Sequence, residues 1–324
     1  MAKGISLVWR TDTHLSDFAP ESRTDDWPTT LLGKLAQVGE VAKRVKALGV
    51  LDGGDLFHIK TPSRNSHSLV GKVAAIHTAY PCPTWSNIGN HDVKYGSFEF
   101  LDESPLGVLF ESGSLRRLYD EHEAIFEQDG IKVRVVGIPY HGTEYDMGRF
   151  AQIQKNSEDF LVASIHCLAS LAGGTMYEKE DVIKYADLVG FAPDLFLFGH
   201  WHRNQGIDEI ADGKWVVNVG SLSRGSLNQD EVNRVPTCVV LNFSKEGIKI
   251  IPVPLKVAPA DEVFNMVARE VNREKDMTME AFVDSLKTTL VSRGGGSVIE
   301  TVRCMSDVED VVRERAIHYL ERAL

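Results

Sequence analysis

The stretch Thr84-Trp85-Ser86-Asn87-Ile88-Gly89-Asn90-His91-Asp92 shows the pattern that decides the fold of this chain. A short strand-like run ends in a block of polar residues, and that block opens a loop. The same order recurs five times along the first two thirds of the chain. The five blocks are Asp12-Thr13-His14, Gly54-Asp55, Gly89-Asn90-His91-Asp92, His166 and Gly199-His200-Trp201-His202. Each block is predicted to follow the carboxyl end of a β-strand.

Helical spacing between the first blocks predicts helices that connect parallel strands. One helix is indicated by apolar residues three or four positions apart, namely Leu31, Leu35, Val38, Ala42 and Val45. Gly49 is expected to close it, and a second helix is indicated around residues 69–76. From about residue 122 strands predominate, with hairpins predicted at Asp129-Gly130 and at residues 244–247. This order favours an α/β sandwich over a doubly wound sheet.

Length and composition narrow the class of protein. A chain of 324 residues with 43% hydrophobic and 25% charged residues is typical of a globular protein with one large domain and a smaller one. No run approaches the ~18–20 apolar residues of a membrane span, so no membrane association is expected. Four cysteines without CxxC spacing argue against a disulfide framework and a zinc knuckle, and a cytoplasmic location is expected.

The net charge of −11 argues against a protein that coats nucleic acid through a broad basic face. It does not exclude a nuclease, because bound cations can neutralise phosphates inside a cleft whose outer surface is acidic.

A change of composition near Pro252-Val253-Pro254 and Pro259 marks the predicted domain boundary. We predict a first domain at residues 1–256 and a small C-terminal α/β domain at residues 257–324. Within the latter, helices are expected around residues 264–271, 279–290 and 308–324, and a strand at residues 297–303. The last helix could pack on its own domain or contact a second copy of the chain in a homodimer.

The polar blocks supply enough ligands for two divalent cations. They contain two Asp, one Asn and four His as candidate donors, and these are Asp12, His14, Asp55, Asn90, His166, His200 and His202. Asp55 can bridge two cations through its two oxygens. Mixed oxygen and nitrogen donors suit Mn²⁺, Fe²⁺ or Zn²⁺ better than an all-oxygen Mg²⁺ site. Two cations roughly 3.5–4 Å apart are widely used to hydrolyse phosphate esters.

Two residues of the third block are candidates for catalysis. His91 follows the candidate ligand Asn90 and is placed to give a proton to a leaving alkoxide. Asp92 could orient the His91 ring. The blocks differ in specificity: Asp-x-His and Gly-Asp alone are weak, and a lone His166 would be typical of a packed core. Gly-Asn-His-Asp and Gly-His-x-His after strands are specific.

The ordered set of blocks resembles the calcineurin-like metallophosphoesterase superfamily over about residues 5–224. The resemblance implies a four-layered αββα sandwich, followed here by a small C-terminal α/β cap, with a dinuclear site at the strand ends. It assigns one metal to Asp12, His14, Asp55 and His202. It assigns the other to Asp55, Asn90, His166 and His200, with His91 as the catalytic histidine.

A narrower resemblance concerns the residues after Asp55. Gly54-Asp55-Leu56-Phe57-His58, followed by Lys60, Pro62, Ser63 and Arg64, is similar to the SbcCD-type double-strand-break repair nucleases. It implies that His58 contacts the substrate phosphate, and Arg64 could meet a DNA phosphate. The segment Asn218-Val219-Gly220-Ser221 with Arg224 resembles the last loop of the family, which lines the metal cleft. Arg224 is a candidate for substrate binding. The continuation Gly225-Ser226-Leu227-Asn228 departs from the family pattern.

The resemblance implies a DNA exonuclease/endonuclease that uses two divalent cations, with Mn²⁺ favoured over Mg²⁺, Fe²⁺ or Zn²⁺. Such an enzyme would act in DNA repair and recombination beside an SMC-like ATPase of the SbcC type. Residues 257–324 would form the capping and partner-binding domain. The alternative is a small-molecule phosphodiesterase or phosphoprotein phosphatase of the same superfamily. A third hypothesis is an inactive scaffold, against which the unbroken ligand set argues.

Overall fold

The computed structural model of the chain describes residues 4–58, 65–94, 97–176 and 180–267, together with residues 302, 303, 313 and 317. The chain divides into two compact units, Met1–Asn265 and Met266–Leu324. Residues 257–265 therefore belong to the first unit, whereas the sequence pattern assigned them to the second. The helices and the strand predicted after residue 264 lie wholly or mostly outside the described residues, so the role of the C-terminal domain stays a prediction.

Strands outnumber helices in the described part of the first unit. In chain order the elements are β1 (Ile5–Arg10), α1 (Trp27–Val45), β2 (Gly49–Asp52), α2 (His67–Thr78), β3 (Thr84–Ser86), α3 (Pro105–Glu111), β4 (Arg116–Arg117), β5 (Ala124–Gln128), β6 (Ile131–Ile138), α4 (Met147–Gln152), β7 (Phe160–His166), β8 (Ala169–Ser170), β9 (Gly174–Met176), β10 (Glu180–Lys184), β11 (Leu195–Gly199), β12 (Gly206–Ala211), β13 (Lys214–Asn218), α5 (Gln229–Asn233), β14 (Thr237–Ser244), β15 (Gly247–Pro254) and α6 (Ala260–Val263). Two 3-10 helices, Phe98–Glu103 and Tyr185–Leu188, join them.

Two six-stranded sheets form the centre of this unit. The first has the strand order β15-β14-β1-β2-β3-β4, and its strands β1 to β4 are parallel. The second has the order β12-β13-β11-β7-β6-β5, and β13, β11, β7 and β6 are parallel. Since parallel strands end at the same edge of a sheet, each sheet brings its polar blocks together at one edge.

Three apolar cores separate four layers. The first core packs α1 and α2 on the outer face of the first sheet, and it includes Leu31 and Val73. The second core lies between the sheets and includes Leu51 of β2 and Leu197 of β11. The third core covers the outer face of the second sheet and includes Phe150 of α4. This confirms the four-layered sandwich, although its fourth layer combines short helices with the small sheet β8-β10-β9.

The end of α1 differs from the prediction. The helix begins after Asp26, whose side chain accepts a hydrogen bond from the Thr29 backbone N–H, and it ends at Val45. Lys46 takes the left-handed conformation that closes it, with φ of 54°. Gly49 instead lies in β2, where an added Cβ would meet the Phe126 ring at 2.7 Å. The prediction that Gly49 closes the helix is therefore wrong, because Lys46 closes it. Close packing between the two sheets explains the glycine at position 49.

Both predicted hairpins are confirmed. Asp129 and Gly130 connect β5 to β6 with φ of 55° and 75°, as a two-residue turn between twisted strands requires. Residues 244–247 connect β14 to β15. Among the described residues, no helix is long and apolar enough to cross a membrane, and Cys82, Cys167 and Cys238 are buried free thiols.

Candidate metal centre

Backbone geometry at the strand ends brings the first two blocks together. The Asp12 N–H donates to the Gly54 carbonyl at 3.0 Å, and the His14 N–H donates to the Asp55 carbonyl at 3.0 Å. Asp12, His14 and Asp55 all have left-handed backbone, with φ of 52°, 50° and 53°, and His200 has φ of 82°. This conformation is costly for residues other than glycine and is concentrated at functional sites. The side chains of Asp12 and His14, two positions apart, both reach the same point.

A first group of donors consists of Asp12, His14 and His202, whose ligand atoms lie within 4.8 Å of one another. The Nε2 atoms of His14 and His202 are 2.8 Å apart, and each lies 3.8 Å from Asp12 Oδ1. Thr11 and the His200 backbone N–H donate to the Asp12 carboxylate at 2.6 and 3.0 Å and hold it in place.

A second group consists of Asp55, His166 and His200. His166 donates a hydrogen bond from Nδ1 to the Gly53 carbonyl at 2.8 Å, so its Nε2 atom is left to bind a cation. This Nε2 atom lies 3.3 Å from Asp55 Oδ2. The same carboxylate oxygen is 3.7 Å from His14 Nε2 of the first group. Asp55 therefore lies between the two groups, in the bridging position.

The predicted ligand Asn90 is half-buried beside Asp55. It lies between Gly89, where an added Cβ would collide with the Asp55 carboxylate, and His91, whose backbone N–H donates to Asp55 Oδ1 at 2.8 Å. The seven predicted ligands thus come from strand ends and the loops that follow them, which meet around Asp55.

The donor chemistry fits divalent cations. Burial raises the pKa of Asp55, but the positive charges of His166 and His14 outweigh it and hold the pKa well below its usual range. Burial is likewise outweighed at Asp12 by the hydrogen bond with His14, so that its pKa is lowered. Ionised carboxylates facing several imidazole nitrogens form a site that could hold two divalent cations.

His91 lies at the edge of this centre with its ring fixed by the backbone. Its Nδ1 donates to the His58 carbonyl at 2.8 Å, and the His58 ring stacks on it with centroids 5.0 Å apart. Burial and the charges of His14 and His91 lower the pKa of His58 to about 4. The structure therefore places His58 beside His91, while its contact with a substrate stays a prediction.

Asp92 does not orient His91, so that prediction is wrong. Its carboxylate accepts hydrogen bonds from the backbone N–H groups of Asp55 at 2.8 Å and Gly89 at 2.9 Å. Burial and the charge of Asp55 raise the pKa of Asp92 to about 7. Asp92 ties the second block to the third, and the His58 carbonyl orients His91.

Arg224 is buried and does not line the cavity that opens on the metal centre, so its contact with a substrate stays a prediction. It is 4% exposed and donates to the carbonyls of Val232 and Ala258, and its guanidinium lies 5.2 Å from the Phe264 ring centroid. Its charge is committed to loop carbonyls that no sequence pattern identifies. Arg64 lies outside the described residues.

Glu180 is a site residue that the sequence analysis missed. It is 6% exposed, its Oε1 lies 2.9 Å from His200 Nε2, and it accepts a hydrogen bond from the Tyr145 hydroxyl at 2.6 Å. With Nε2 engaged, the Nδ1 atom of His200 is left to hold a cation, and buried carboxylates commonly support metal-bound histidines in this way. No local pattern singles out Glu180, because the contact joins β10 to the loop after β11.

Glu180→Gln is expected to weaken Mn²⁺ binding by the second group about 10- to 100-fold, because the amide holds His200 less strongly than the carboxylate. Binding by the first group should change little. Calorimetric titration of Mn²⁺ measures both affinities. Glu209→Gln, an exposed position, is the control, and unchanged affinities in Glu180→Gln would contradict the role.

An open cavity of about 900 Å³ connects the metal centre to the surface. Its polar part is lined by His14, Asp55, His58, His91, His200 and His202. Its outer part is lined by residues that follow β1, β11 and β13, among them Phe18, Pro20, Trp201 and Arg203. The centre is therefore accessible from solvent.

Comparison with known sequences finds one informative similarity. No family model matches the chain. It is 22% identical over 254 residues to the DNA double-strand break repair protein Mre11 of Methanosarcina acetivorans, covering 77% of this chain. The match covers 38% of the archaeal protein, so this chain spans well under two thirds of that relative.

Solved structures give distant likenesses. A novel archaeal phosphodiesterase is 13% identical, with 77% of this chain and 100% of that chain covered and a TM-score of 0.38. The NAD nucleotidase NadN of Haemophilus influenzae is 17% identical, with 78% of this chain and 50% of that chain covered and a TM-score of 0.46. TM-scores below 0.5 support no functional conclusion.

A resemblance to a known superfamily rests on the chain's own residues together with the Mre11 similarity. Five blocks stand in the expected order, follow the expected strands and meet around Asp55 within a four-layered sandwich. These features resemble those of the calcineurin-like metallophosphoesterase superfamily, and the similarity to an Mre11 sequence supports that resemblance.

Proposed function

We propose that this chain is a metal-dependent phosphodiesterase that cleaves DNA as the nuclease subunit of an SbcCD-like repair and recombination complex. The observation that carries the proposal is the position of Asp55, whose Oδ2 lies 3.7 Å from His14 Nε2 and 3.3 Å from His166 Nε2. One carboxylate between two sets of donors is the arrangement that a pair of adjacent cations requires.

The proposed roles follow from the donors. Asp12, His14, Asp55 and His202 would hold one cation, and Asp55, Asn90, His166 and His200 the other. Two such cations, when bound, supply an activated water and neutralise charge on the phosphate. His91 donates from Nδ1 to the His58 carbonyl, so its Nε2 carries a proton only in the imidazolium form, and it is this form that would protonate the leaving oxygen.

DNA as substrate is supported by the similarity to an Mre11 sequence and by the position of His58. Mn²⁺ as the native cation, a cytoplasmic location and an SMC-like ATPase partner are further parts of the proposal. Mixed carboxylate and imidazole donors support Mn²⁺.

The test is Mn²⁺-dependent degradation of linear duplex and single-stranded DNA, with and without a candidate ATPase. We expect cleavage in Mn²⁺, less in Mg²⁺, and none after chelation. Protein stripped of cations is the matched control, and adding Mn²⁺ should restore its activity. Absence of cleavage of every DNA would contradict the proposal, and hydrolysis of phosphomonoesters alone would favour the phosphatase alternative.

A further inference from the structure

The outer part of the cavity has an apolar wall. It is formed by Phe18, Ala19 and Pro20 after β1 and by Trp201 after β11. Phe18 is 67% exposed, and among the exposed large apolar side chains of the described residues it alone lines this cavity. Trp201 is half-buried against the third core. An exposed aromatic ring in the cleft of a phosphoesterase offers a face to the substrate.

The Phe18 loop is held on both sides. The Phe18 backbone N–H donates to the Ser16 hydroxyl at 3.1 Å. Asp17 accepts a hydrogen bond from the Ser66 hydroxyl at 3.0 Å, and the Pro20 carbonyl accepts from the Arg23 N–H at 2.8 Å. The ring is therefore presented before any substrate arrives, which reduces the entropy cost of contact. Phe18 is four residues from His14, so their Cα atoms are at most ~14 Å apart.

The described residues bring few positive charges to the cavity. Among its described lining residues Arg203 is the one lysine or arginine, and its Nε lies 3.4 Å from the Asp230 carboxylate. Asp230 and Glu231 add negative charge to the same rim. Proteins that hold duplex DNA do so mainly through basic contacts to its phosphates. Aromatic walls instead hold unpaired bases, which stack on them with little regard to sequence.

We propose that Phe18, which lines the same cavity as Trp201, binds an unpaired nucleobase next to the scissile phosphodiester. The substrate class is a nucleoside phosphodiester with a free base, as in a single strand or a small diester. This inference rests on the proposed function and narrows it. A base within a duplex is stacked on both sides by its neighbours, so Phe18 selects against intact duplex.

Dinucleoside phosphates test the subsite. Hydrolysis of thymidylyl-thymidine is compared with analogues in which one or both nucleosides carry an abasic tetrahydrofuran. For the wild type we expect KM to be about tenfold lower when the base is present. Phe18→Ala should raise the KM for thymidylyl-thymidine to that of the abasic analogue, with kcat nearly unchanged. Phe18→Trp should restore the low KM.

Leu171→Ala is the matched control, because Leu171 is 71% exposed and does not line the cavity. Single-stranded and duplex oligonucleotides separate the two sources of the base. An effect of Phe18→Ala on single strands as well as dinucleotides assigns the subsite to a DNA strand, and an effect on dinucleotides alone assigns it to a small diester.

Two results overturn the inference. Equal KM values for the thymidine compound and its doubly abasic analogue would leave phosphodiester hydrolysis intact and remove the base subsite. A Phe18→Ala enzyme with wild-type KM would do the same. Failure to hydrolyse any of these compounds or the oligonucleotides would overturn the proposed function as well.

Discussion

Replacing Asp55 with Asn is expected to abolish tight binding of both cations and to lower turnover by at least ~10³-fold, which corresponds to the several kcal/mol supplied by metal ions. The carboxylate has contacts in both directions: Oδ2 faces His14 and His166, and Oδ1 accepts from the His91 N–H at 2.8 Å. Asn preserves the shape and can keep the contact with His91. It removes the negative charge and one oxygen donor from both groups at once.

Calorimetric titration with Mn²⁺ measures this effect directly. The wild type should bind two cations, and Asp55→Asn should bind none with comparable affinity. Asp187→Asn, at an exposed position in a 3-10 helix, is the control for loss of a carboxylate elsewhere. Two cations bound by Asp55→Asn with wild-type affinity would show that the residue does not bridge.

His91→Ala is expected to lower kcat on DNA by ~10²- to 10⁴-fold, the usual contribution of a positioned general acid. Cation affinity should change little, because His91 is in neither of the two donor groups that contain an aspartate; it clusters with His14 and His58 at the edge of the centre. The loss should be much smaller on bis-p-nitrophenyl phosphate, since p-nitrophenolate is a good leaving group and needs no proton. The ratio of the two losses therefore isolates proton donation.

The control for this variant is His122→Ala, which removes an exposed histidine outside the cavity. It should retain full activity on both substrates. If His91→Ala lost the same factor on both substrates, His91 would stabilise charge on the phosphate rather than protonate the leaving oxygen.

The centre could be located from sequence because its donors follow apolar strands. An apolar run such as Leu195-Phe196-Leu197-Phe198 predicts a buried strand, and parallel strands end at a common edge. The polar residues after β1, β2 and β3 therefore had to lie near one another, and so did those at the ends of β7 and β11. The two sets meet because the two sheets pack face to face. The sequence pattern could therefore identify the donors that directly follow a strand.

The remaining features depend on contacts between distant parts of the chain. Glu180 lies in no block and reaches His200 only because the small sheet packs on the second large sheet. Arg224 is predicted from sequence to bind a phosphate, and the structure buries its guanidinium against the Phe264 ring. Asp92 neighbours His91 in sequence, yet its carboxylate points to backbone groups of the second and third blocks. Partners of this kind are set by tertiary packing.

The left-handed backbone at Asp12, His14, Asp55 and His200 has a consequence for the evolution of this chain. Each such residue costs roughly 1 kcal/mol or more relative to glycine. Four of them are a sizeable share of the ~5–15 kcal/mol by which a domain is stable. Selection for thermal stability alone would favour glycine at these positions, and glycine has no side chain to bind a cation. The chain keeps four strained backbone positions that an inactive scaffold would have no reason to keep.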